Sequence, residues 1–68
     1  MKSIYPALTA WMEETGMTDG ALMDALYLSP FTLRNRMIGR TPFALIEQEK
    51  LERMSGIPAA ELLRKEGE

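Results

Sequence analysis

Residues 18–40 read TDGALMDALYLSPFTLRNRMIGR, and the spacing inside this stretch decides the fold. Leu22 and Leu26 repeat at four residues with Met23 beside them, the stripe of a short helix rather than the alternation of a strand. Thr18 offers a capping hydroxyl, and Asp19 places a negative charge at the positive end of the helix dipole. A helix is therefore expected from residue 19 to near residue 27. Leu28 and a second cap, Ser29, separate it from the next, because Ser followed by Pro30 puts proline at the first helical position, where its missing N–H has no intrahelical partner. Leu33 and Met37 set the inward face of this next helix, expected over residues 30–38, and Gly39 closes it.

Working outward, Ile4, Leu8, Trp11 and Met12 recur at helical steps. They predict a first helix over residues 4–15, with Ser3 as cap, Pro6 in its first turn and Gly16 as a left-handed stop. After Thr41-Pro42-Phe43 a fourth helix is expected up to Ser55 and Gly56, and Pro58 opens a fifth carrying Leu62 and Leu63. Glu66 to Glu68 have no apolar partner and are expected to fray. Glu47, Glu49, Glu52 and Glu61 read as a solvated face. The methionines read as core filling, because the thioether adapts to irregular gaps, and Trp11 reads as a packing anchor. The expectation is one domain over residues 1–68, an all-α, compact orthogonal bundle of about five short helices.

Composition narrows the function. The chain has 68 residues, no cysteine and no histidine, so disulfides and thiolate or imidazole metal sites are ruled out. This fits a reducing, cytoplasmic setting, and no metal or cofactor is expected. The N-terminal stretch lacks the apolar core of a signal peptide, and no run of about 18 apolar residues suggests a membrane span. An enzyme is disfavoured by the missing histidine and cysteine, by the lack of a glycine-rich phosphate loop, and by the small size, so no small-molecule substrate is expected. The formal net charge of −2 conceals a segregation: residues 1–24 hold Lys2 against Glu13, Glu14, Asp19 and Asp24, whereas residues 25–46 hold Arg34, Arg36 and Arg40 and no acid at all.

Two helices joined by a tight turn, the second capped and acid-free, are the sequence form of a helix-turn-helix. Residues 18–40 resemble the helix-turn-helix of the Cro and repressor type (XRE-like) regulators of phage and bacteria, and TPFALIEQEKLERMSGIPAAELL resembles the way that family continues. The resemblance implies a lambda-repressor-like fold and a small transcriptional regulator that binds double-stranded operator DNA, with homodimerisation through the region of Ile57, Leu62 and Leu63. This chain departs from the family pattern in places. Met23 stands where the family has a small alanine, Asp19 where it has a phosphate-contacting glutamine, and Gln48 and Glu52 where it buries apolar side chains. Tyr27 replaces the turn glycine, which predicts a turn of different build, since left-handed geometry costs a tyrosine.

The residues of the candidate site follow from what a duplex asks: donors for base edges and cations for the flanking phosphates. With Leu33 and Met37 inward, Pro30, Phe31, Arg34 and Asn35 share the outward face that such motifs insert in the major groove. The Arg34 fork matches guanine O6 and N7, and Asn35 suits adenine. Phe31 has two readings, a thymine methyl contact or a staple of the turn onto the preceding helix. Arg36, Arg40 and Thr41 are placed for phosphate. Ser29 is a cap first and a phosphate contact second, and the N–H groups beside Thr18 offer a further anion site in principle. The alternative function is a protein-protein interaction module that keeps the helix-turn-helix fold without DNA binding.

Overall fold

A computed structural model describes residues 3–67, a body of 27 × 23 × 22 Å. Five helices follow one another: α1 (Pro6–Thr15), α2 (Asp19–Leu26), α3 (Pro30–Met37), α4 (Leu45–Ser55) and α5 (Ala59–Leu62), and no strand occurs among the described residues. The all-α bundle expected from the sequence is the fold observed. Helix α5 packs on α1 and α4, while α2 packs on α3 and α4. Leu8, Leu22, Leu33, Met37, Leu51 and Leu62, from five different helices, lose nearly all their exposure in one shared core. Tyr5 and Phe43 close it with tilted rings 5.7 Å apart.

Several details differ from the sequence reading. Helix α1 starts at Pro6, and Ser3 lies two residues ahead of the cap position; its hydroxyl accepts from the Tyr5 N–H (3.1 Å) and meets the Thr9 hydroxyl at 2.7 Å. The expected fraying of the tail is corrected at Glu66, whose backbone N–H donates to the Ile4 carbonyl at 2.8 Å, while Glu68 lies outside the described residues. Ile4 in turn donates its own N–H to the Met37 carbonyl at 3.0 Å, so the N-terminal segment ties the end of α3 to the C-terminal tail. Gly39, at φ +81°, lies against the Ile4 side chain in a left-handed backbone that L side chains rarely adopt. Trp11 is buried as a packing anchor, and Met12 and Met37 fill the core with Met17 and Met23 against it. Met54 departs from that pattern, being partly exposed, and Met1 lies outside the described residues.

The turn between α2 and α3 is where the fold and the candidate site meet. Tyr27 adopts φ 56°, ψ 44°, the left-handed conformation that the sequence reading set aside for a tyrosine. The termination matches that of α1: Tyr27 and Leu28 both donate N–H groups to the Met23 carbonyl, as Gly16 and Met17 do to that of Met12. The Tyr27 ring carries the Lys50 ammonium 4.1 Å from its centroid, a contact that offsets part of the backbone cost. Among the described residues no helix is long and apolar enough to cross a membrane.

Candidate nucleic-acid interface

Both helices of the pair begin as their sequence signals require. The Thr18 hydroxyl accepts from the Ala21 N–H at 3.1 Å, and the Ser29 hydroxyl accepts from the Thr32 N–H at 3.2 Å. These caps fix where α2 and α3 start, and so which side chains of α3 face out. Thr18 and Ser29 are therefore structural in the first place, and Ser29 also lies 3.0 Å from the Thr32 hydroxyl. Asp19 is half-buried and already engaged.

With Leu33 and Met37 inside, α3 presents Pro30, Phe31 and Arg34 to solvent, with Asn35 half-buried between them. Phe31 is 70% exposed, so it does not staple the turn onto α2. Arg34 and Arg40 are exposed, and neither side chain has a partner among the described residues. Two unpaired guanidinium groups therefore stand at the outer face of α3 and just beyond its end. A planar five-donor fork held this way can take two acceptors at once.

Arg36 and Thr41 meet each other within the chain. The Arg36 Nε donates to Glu47 Oε1 at 3.0 Å, and its Nη1 donates to the Thr41 hydroxyl at 2.7 Å. The same Glu47 oxygen accepts the Ala44 N–H at 2.9 Å. Arg36 and Thr41 thus clamp the segment joining α3 to α4, an internal use beside the phosphate role expected of them. Glu47 is corrected: it is buried, with 7% exposure, and serves as the N-terminal bracket of α4, where Ala44 has no side-chain acceptor of its own. Its position three residues past the cap was the available signal. Glu52, also expected to be merely solvated, accepts the Ala59 N–H at 2.7 Å and so fixes the start of α5. Gln48 donates to the Phe43 carbonyl at 2.9 Å.

At the expected dimer surface, part of the apolar area is already used within the chain. Leu62 is fully buried, and Ile57 and Leu63 pack against the core. The large apolar side chains left in solvent lie at Tyr27, Phe31, Ile38, Leu45, Ile46 and Met54. No protein-family model, curated protein or solved structure shows a significant match to this chain.

Proposed function

We propose that the chain binds double-stranded DNA sequence-specifically, as a small regulator of the Cro and repressor type, with α3 in the major groove. One observation carries the reading: Arg34 stands exposed and unpaired on the outer face of a capped helix, beside Asn35 and Phe31 and opposite the buried Leu33 and Met37. That face combines a bidentate donor, an amide and an apolar contact within one turn and a half of helix, which is the chemistry of base-edge readout. Arg40, past the helix end, supplies a cation for the neighbouring phosphate.

Selection of bound duplexes from a random pool at two salt concentrations tests it. Enrichment of a short motif containing guanine, with affinity falling steeply as salt rises, is the expected result. Recovery of no motif at either salt overturns the proposal.

A second reading, a protein-interaction module on the same fold, draws support from the exposed Phe31 and Tyr27 and from the internal use of Arg36. Binding to a protein partner that survives high salt, with no duplex retained, would favour it.

A further inference from the structure

We infer that the flank shared by α2 and α4 docks a segment of another protein, one that carries a large apolar side chain set between carboxylates. The inference does not rest on the DNA reading, since none of the residues that form this flank lies on α3.

Glu47 and Leu51 mark the buried side of α4. Ile46, Lys50 and Met54 follow at four-residue steps and so form one stripe along its flank, with Arg53 beside it. This stripe borders α2. The Lys50 ammonium lies 4.1 Å from the centroid of the Tyr27 ring, and Ala25 of α2 joins Lys50, Arg53 and Met54 in lining a shallow groove of about 270 Å³. Around that groove Tyr27 is 84% exposed, Ile46 63% and Met54 38%. Large apolar side chains gathered at one groove, rather than scattered singly, mark an interaction site.

Charge says what covers it. The chain has a net charge of −2, yet the residues lining the groove include two cations and no carboxylate. Arg53 is exposed and has no partner among the described residues; Glu49, one turn earlier, makes no ion pair with it. Lys50 shares its charge with the face of a ring, which leaves its ammonium donors available to an acceptor. Cations on either side of an apolar floor call for a ligand that is apolar in the middle and anionic at its edges. A nucleic-acid backbone would supply the anions and leave Ile46 and Met54 in water beside it. A protein segment covers both. The groove is also smaller than the about 300–1,000 Å³ of a small-molecule site, and suits side chains presented by a docked chain.

The test starts from displayed random peptides about twelve residues long, selected on the immobilised full chain. Enriched peptides are expected to carry a large apolar residue flanked by Asp or Glu. By fluorescence anisotropy the best of them is expected to bind Arg53→Glu and Ile46→Ser at least about tenfold more weakly than wild type, both variants keeping the wild-type circular dichroism melt. Replacing its acidic residues by lysine is expected to restore binding to Arg53→Glu and to abolish binding to wild type, a reversal that a merely structural role for Arg53 would not produce. Failure to enrich any peptide, enrichment without acidic residues, indifference to both substitutions, or no reversal overturns the inference. So does a lowering of the salt slope on random duplex by about 1 in Arg53→Ala, which would make Arg53 a phosphate contact. An oligomer of the wild type that Ile46→Ser dissolves would show the face taken by a second copy, and overturns it as well.

Discussion

Tyr27 holds a backbone conformation that most side chains avoid, and the cost of about 1 kcal/mol is set against a ring–ammonium contact with Lys50 of similar size. Tyr27→Gly removes both terms, so its unfolding free energy in urea is expected within about 1 kcal/mol of wild type. Tyr27→Val keeps the strain, adds a β-branch and loses the ring, and is expected to lose about 2 kcal/mol. Equal losses in the two variants would mean that the ring contact, and not the backbone, governs the turn. The turn-glycine position pointed to this geometry and the tyrosine in it argued against, because the contact that offsets the strain comes from a lysine on another helix. Arg34 and Arg36 teach the same lesson. At 3.6 residues per turn they lie about 80° to either side of the Leu33–Met37 stripe, so the helical pattern treats them alike. Only the packing of α4 decides that Arg36 meets Glu47 and Arg34 meets water.

At the scale of elements, the starts and stops were legible because their causes are local. Ser29 and Pro30 act within one turn of α3, and Thr18 within one turn of α2. Ser29→Ala is expected to cost about 1 kcal/mol of stability in denaturant unfolding, the usual value of such a cap. A change under a few tenths would show that α3 is held by its packing alone. The segment between α3 and α4 was not legible, because its anchor, Glu47, reaches Arg36 eleven positions back in the chain as well as its own cap. Glu47→Ala strips the clamp and the bracket together, for an expected loss of about 2 kcal/mol. Arg40 rides on that segment in solvent. Its replacement by alanine is expected to leave folding intact and to lower the slope of log affinity against log salt by about 1, on any duplex. An unchanged slope would remove Arg40 from the phosphate contacts.

For the whole molecule, the bundle shape was readable from five apolar stripes, and the core they form leaves Arg34 on a helix anchored by Leu33 and Met37. The joining of the two chain ends was not readable, since the Glu66 to Ile4 hydrogen bond spans nearly the full sequence. The burial of Leu62 has the same origin, since it depends on how α5 settles against α1 and α4. The outward face of α3 carries the proposed DNA binding. Its most direct test is fluorescence anisotropy of wild type and Arg34→Ala on a selected duplex and on random duplex. The predicted result is a loss of about 1–3 kcal/mol on the selected site, with a much smaller loss on random DNA. An equal loss on both, or no loss on either, would contradict it.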